Sequence, residues 1–98
     1  MRKLIFRIAA SAEMRRIAKY TKAEWGAEQA RRYAARMRQR IKSLREFPLR
    51  YPEVDRRPGL REMRCGQHVV FYQVSEDAIE IVQIVHVAAD FDAWLQSS

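Results

Sequence analysis

Two apolar runs late in the chain, His68–Val74 and Ile79–His86, are separated only by the polar turn Ser75-Glu76-Asp77. Runs of this length, rich in Val, Ile, Phe and Tyr, predict paired strands, and the short link makes them a hairpin. Ile79–His86 is apolar on both sides, with Ile79, Ile81 and Val85 set against Val82 and Ile84. That is the pattern of a central strand covered on both faces. Leu60–Cys65, joined to the hairpin by the turn Gly66-Gln67, adds a third strand and makes an antiparallel meander.

The first half of the chain has a different period. Ala10, Met14, Ile17, Ala18, Thr21 and Trp25 recur at helical spacing, as do Ala27, Ala30, Tyr33, Ala34, Met37, Ile41 and Leu44. Gly26 between the two series is placed as a helix-ending residue, so two consecutive helices form a hairpin whose alanines permit close approach. Ser11 is the expected N-cap of the first helix, with Glu13 in its first turn, and Lys3–Ile8 before it reads as an opening strand. Phe47-Pro48 stops the second helix. A loop over residues 48–59 follows, carrying Pro48, Pro52, Pro58 and Gly59. At the far end, Asp90–Leu95 reads as a short helix. The order β-α-α-β-β-β predicts an α+β fold, with a helical hairpin packed on an antiparallel meander sheet in one domain spanning residues 1–98.

Composition narrows the function classes. The single cysteine, Cys65, permits no disulfide within the chain, and with two histidines besides, a structural zinc site lacks ligands. No metal and no cofactor is expected, and a reducing, cytoplasmic setting is. No apolar run reaches the length of a membrane span, and Arg7 interrupts the N-terminal stretch that would otherwise resemble a leader.

The net charge is +7, unevenly divided: residues 1–50 hold 15 Lys and Arg against 4 Asp and Glu, residues 51–98 hold 4 against 8. Such a field favours an acidic partner, nucleic acid or an acidic protein segment. Aromatic residues do not interleave with the basic run as a base-stacking platform needs, so direct nucleic-acid binding is the less favoured of the two.

The hairpin begins and ends with the only histidines, His68 and His86. His86 alternates with Ile84 and Val82 and is expected to share their face as a hydrogen-bonded structural residue, with Asp90 its natural partner. His68 shares a face with Val70 and Tyr72 and reads as a strand cap, Tyr72 as a core aromatic with a polar tip.

The ordered motifs resemble the ParE branch of the RelE/ParE toxin superfamily. They are Glu13-Met14-x-x-Ile17-x-x-Tyr20, Trp25-Gly26-x-x-Gln29-Ala30-x-x-Tyr33 and Ile41-x-x-Leu44-x-x-Phe47-Pro48. Pro58-Gly59-Leu60-Arg61 and Gly66-x-His68-Val69-Val70-Phe71-Tyr72 follow, and Ile79-x-Ile81-Val82-x-Ile84-x-His86-x-x-x-Asp90 completes the set.

The resemblance implies a toxin of a bacterial type II toxin–antitoxin pair. It also implies DNA gyrase as target and a cognate ParD-like antitoxin that wraps the toxin in a hetero-oligomer. The sister RelE branch, ribosome-dependent messenger-RNA endoribonucleases, is the alternative. It places an Arg on the strand matching His68–Val74 and a His or Tyr at the chain end. Val69 stands at the Arg position here, and an apolar side chain cannot stabilise a phosphorane. The chain is therefore expected to bind rather than catalyse, with no catalytic residue assigned. A generic nucleic-acid-binding or inert module of the same fold is the second alternative. Arg50, Arg56, Arg57 and Arg61 are the candidates to receive acidic antitoxin residues, with Arg61 preferred over Arg64, which points to the opposite face. Phe91, Trp94 and Leu95 are the candidate aromatic and apolar contacts of the tail.

Overall fold

The computed structural model describes residues 1–88, in the order β1 (Lys3–Phe6), α1 (Ile8–Trp25), α2 (Ala27–Ser43), β2 (Glu53–Val54), β3 (Arg57–Cys65), β4 (His68–Val74) and β5 (Ala78–His86). The fold is α+β, and the five strands form one sheet in the order β1-β5-β4-β3-β2. β3, β4 and β5 are the expected antiparallel meander, but the sheet as a whole is mixed, because β1 lies parallel to β5 at the edge. The helical hairpin between β1 and the meander carries the chain across one sheet face and makes that parallel pairing reachable. The expected tail helix, Asp90–Leu95, lies outside the described residues.

The opening strand is shorter than its apolar run. It ends at Phe6, and α1 starts at Ile8 with Arg7 as N-cap. Ser11 is inside the helix, its N–H bonded to the Arg7 carbonyl at 3.0 Å, and Glu13 is not in the first turn. Two ties explain the shift. The Arg7 N–H donates to the Ile81 carbonyl at 3.0 Å, and its guanidinium reaches Gln73 and Glu80. These pin the turn at residue 7, and Ala9-Ala10 then continue as good helix formers.

Gly26 serves both helices. Its N–H closes α1 on the Lys22 carbonyl at 2.9 Å, and its own carbonyl accepts the Ala30 N–H at 3.1 Å. Its φ of 90° with ψ of 167° is a conformation that only glycine adopts readily.

The core is divided by the sheet. On the helix side Ala10, Ile17, Met37, Ile41 and Leu44 pack on Met63, Cys65, Val70, Tyr72, Ile79, Ile81 and Ile84. On the other side Val54, Leu60, Val69, Phe71 and Val82 form a second cluster, joined by Val85.

This division corrects the expected alternation of β5. Tyr72 pairs with Ile81 but Phe71 pairs with Gln83, so Val82 is an extra residue, a β-bulge. The bulge reverses the face count. Ile79, Ile81 and Ile84 all point to the helices, and His86 shares a face with Ile84 but not with Val82.

Candidate functional site

The register sets His68 directly opposite His86, at the end of the sheet where β4 begins and β5 ends. Their rings meet edge to face, with centroids 5.2 Å apart. His68 is buried, and its Nδ1 lies 2.6 Å from the hydroxyl of Tyr33 on α2. The same hydroxyl accepts the Gln67 N–H at 3.0 Å and lies 3.4 Å from the Cys65 carbonyl. One phenol thus ties the second helix to the β3–β4 turn and to the first residue of β4. Burial, and then the neighbouring His86, push the His68 pKa down to about 4, so His68 is neutral at physiological pH. Burial likewise raises the Tyr33 phenol and the Cys65 thiol above their ordinary values.

α1 completes this region. Glu13, Arg16, Ile17 and Tyr20 line a cavity of about 310 Å3 together with His68 and His86. Arg16 and Glu13 form an exposed ion pair at 3.3 Å. His86 Nδ1 accepts the Ala88 N–H at 3.0 Å, and its expected partner Asp90 lies outside the described residues. Among the described residues no group of three or more His, Cys, Asp or Glu is placed to hold a metal ion.

Sequence reasoning picked out the two histidines of this site and missed the helical side chains that meet them. Tyr33 was hidden in the apolar stripe of α2, although its polar tip needs a partner when half-buried. Glu13, Arg16, Ile17 and Tyr20 carry a visible signal, since spacings of three, four and seven put them on one helix face.

A second constellation lies at the other end of the sheet. Arg61 and Tyr72 are cross-strand partners. The Arg61 guanidinium donates to the carbonyls of Tyr51 at 2.6 Å and Leu49 at 3.4 Å, and pairs with Glu53 at 3.5 Å. Tyr72, fully buried, donates from its hydroxyl to the Pro48 carbonyl at 2.9 Å. Arg61 is therefore engaged in holding the loop. Arg50 is exposed, its guanidinium 5.7 Å from the centre of the Tyr51 ring. Arg56 is exposed and Arg57 half-buried where β2 turns into β3. Arg50 and Arg61 thus meet at the Tyr51 loop, whereas Arg57 lines a separate cavity with Phe6, Arg7, Ile8, Ala9, Val82 and Gln83. Phe91, Trp94 and Leu95 lie outside the described residues.

Two further surfaces are apolar and exposed. Tyr20 and Trp25 pack edge to face at 6.4 Å on the outside of α1, and Phe47 and Leu49 protrude after α2. Among the described residues no helix is long and apolar enough to cross a membrane.

Compared with known proteins, the chain matches over residues 4–91 the family described as "ParE toxin of type II toxin-antitoxin system, parDE". "Toxin ParE1" of Caulobacter vibrioides is 34% identical over 87 residues, 88% of this chain and 90% of the relative. "Toxin ParE" of Escherichia coli is 38% identical over 84 residues, 83% of this chain and 81% of the relative. A solved structure described as "Chromosomal ParDE TA system from P. aeruginosa" superposes with a TM-score of 0.77 at 19% identity, over 88% of this chain and 96% of its own. At that identity the superposition speaks for the fold alone.

Proposed function

Since the chain belongs to the ParE toxins of type II toxin–antitoxin systems, we propose that it arrests growth by binding DNA gyrase and is neutralised by a cognate ParD-like antitoxin. The family match over residues 4–91 carries this reading, and Val69 supports binding over catalysis. In the ribonuclease branch a cation is expected at that position, and here Val69 is buried among Leu60, Phe71 and Val82 on the sheet face away from the helices. A toxin that binds its target needs no proton relay, and the neutral, hydrogen-bonded His68 fits a structural role.

An antitoxin partner is supported by the family match, whose description is of a parDE toxin–antitoxin system, and by the basic field of residues 1–50. Arg50, Arg56 and Arg57, together with the exposed Phe47 and Leu49, are our candidates for its acidic and apolar residues. Phe91, Trp94 and Leu95 are our candidates for the gyrase contact. The buried free thiol of Cys65 suits a reducing cytoplasm.

Controlled expression of the chain alone tests the proposal. Filamentation with a DNA-damage response is expected, together with loss of supercoiling when purified toxin meets gyrase. Rapid messenger-RNA loss with cuts inside translated codons would instead assign the chain to the ribonucleases. Deleting residues 90–98 is expected to abolish toxicity while antitoxin binding persists, and full toxicity after the deletion would remove the tail from the mechanism.

A further inference from the structure

The cavity between α1 and the paired histidines has its protons placed by its neighbours. The Tyr33 hydroxyl already accepts the Gln67 N–H, so its own proton is free to point elsewhere. His68 Nδ1, at 2.6 Å, is a much nearer acceptor than the Cys65 carbonyl at 3.4 Å. His68 therefore accepts at Nδ1 and carries its proton on Nε2. His86 Nδ1 accepts the backbone N–H of Ala88, which requires that nitrogen to be bare and again leaves the proton on Nε2. The two imidazoles thus offer Nε2–H donors from edges that neither Tyr33 nor Ala88 occupies.

The same protons disfavour a metal. A cation on the Nε2 of His86 would drive the proton to Nδ1, into the Ala88 N–H.

The remaining wall adds to the donor set. Arg16 carries a guanidinium that is largely exposed and bonded on one side to Glu13, leaving further N–H groups for a ligand. Tyr20 contributes a hydroxyl and Ile17 an apolar floor. The opposing group is Glu13, whose carboxylate repels an anion and competes for Arg16. At about 310 Å3 the space holds a side chain with part of its backbone rather than a bare ion.

We propose that this cavity is a receptor for a side-chain carboxylate, presented with an apolar neighbour by an acidic protein segment. The carboxylate oxygens meet the Nε2–H groups of His68 and His86 and the free edge of Arg16, and the apolar neighbour lies on Ile17 and Tyr20. The excess of Lys and Arg over residues 1–50 draws such a segment toward α1. The site is separate from the loop around Arg61, and it holds whether or not gyrase is the target.

The test uses the full chain, labelled with nitrogen-15 at histidine, and three probes: N-acetyl-glutamyl-leucinamide, its glutaminyl counterpart, and inorganic phosphate. Long-range proton–nitrogen spectra of the free protein should show the Nε2–H tautomer at both histidines. The glutamyl probe should move both Nε2 resonances and bind about tenfold more tightly than the glutaminyl one, since charge-assisted hydrogen bonds are the stronger kind. Arg16→Gln, at an exposed position that does not endanger folding, should erase the preference. Glu13→Gln should strengthen glutamyl binding about threefold by removing the competing carboxylate. A Nδ1–H tautomer at either histidine, equal binding of the two dipeptides, or a response to phosphate alone would overturn the proposal.

Discussion

Tyr33 and His68 share a 2.6 Å hydrogen bond that joins the helical layer to the sheet where β4 begins. The short distance, against 3.4 Å to the Cys65 carbonyl, favours the phenol as the donor and so places the His68 proton on Nε2. A single hydroxyl is thus a hub for a turn, a strand and the histidine pair.

Removing that hydroxyl isolates its contribution. Tyr33→Phe keeps the ring against the turn but leaves the Gln67 N–H and His68 Nδ1 without their partner. Losing a partly buried hydrogen-bond partner costs about 1–3 kcal/mol. Urea unfolding should show that loss as a lowered midpoint with an unchanged slope, and the melting temperature should fall by about 4–8 °C for each kcal/mol.

His68 makes stability depend on pH. Its folded pKa is about 4, against an ordinary value of 6.5, so the unfolded chain binds the proton more readily. The stabilising contribution is complete above pH 6.5 and is lost as pH falls toward and through 4. At most it amounts to about 3 kcal/mol, because a tenfold difference in proton affinity between the folded and unfolded chain is worth about 1.4 kcal/mol. Unfolding free energies measured from pH 7.5 down to 4 should decline across this window. His68→Gln, which cannot titrate, should flatten the decline, and an unchanged slope in that variant would assign the effect to carboxylates instead.

The residues that were legible in the sequence were those where one force acts alone. The stripe of Ala30, Met37 and Ile41 on α2 and the runs of β4 and β5 are set by burial, and periodicity suffices to find them. Gly26 was legible because no other residue joins two helices at that φ. Ser11 was misleading, since a good capping residue lost to the tertiary ties of Arg7 with Ile81, Gln73 and Glu80. The bulge at Val82 was invisible because β5 is apolar on both faces, and a shift of register leaves such a pattern unchanged. The cavity was half legible. His68 and His86 stood out as a pair, whereas the helix face that meets them depends on how α1 crosses the sheet, a packing matter that spacing alone does not decide.

Gly66 is constrained by the same phenol. Its φ of 60° lies in the left-handed region, and a Cβ placed there would come within 2.8 Å of the Tyr33 ring and 2.9 Å of its hydroxyl. Gly66→Ala should therefore cost about 2 kcal/mol or more, combining the backbone penalty with displacement of Tyr33. Gly66→Ala in a Tyr33→Ala background should cost only the backbone part. This double-mutant cycle, measured by chemical unfolding, should give a coupling of about 1 kcal/mol. Simple additivity would mean that the ring moves aside freely.

Arg61 and Arg50 are alike in sequence type and differ in what they touch, so the pair separates support of a loop from contact with a partner. The Arg61 side chain is only 18% exposed and its guanidinium holds the carbonyls of Tyr51 and Leu49. Arg61→Ala should loosen residues 48–54, costing about 1–3 kcal/mol and speeding proteolytic cleavage within that loop. Arg61→Lys should restore little, because an ammonium cannot reproduce the planar fork that spans two carbonyls and Glu53. Arg50 is exposed beside Tyr51, so Arg50→Ala should leave stability within about 0.5 kcal/mol of the parent. If the loop face receives an acidic antitoxin, Arg50→Ala should still weaken toxin–antitoxin association and reduce its salt dependence in calorimetry at low and high ionic strength. Unchanged association in Arg50→Ala, with weakening only in the destabilised Arg61→Ala, would move the antitoxin contact away from this loop.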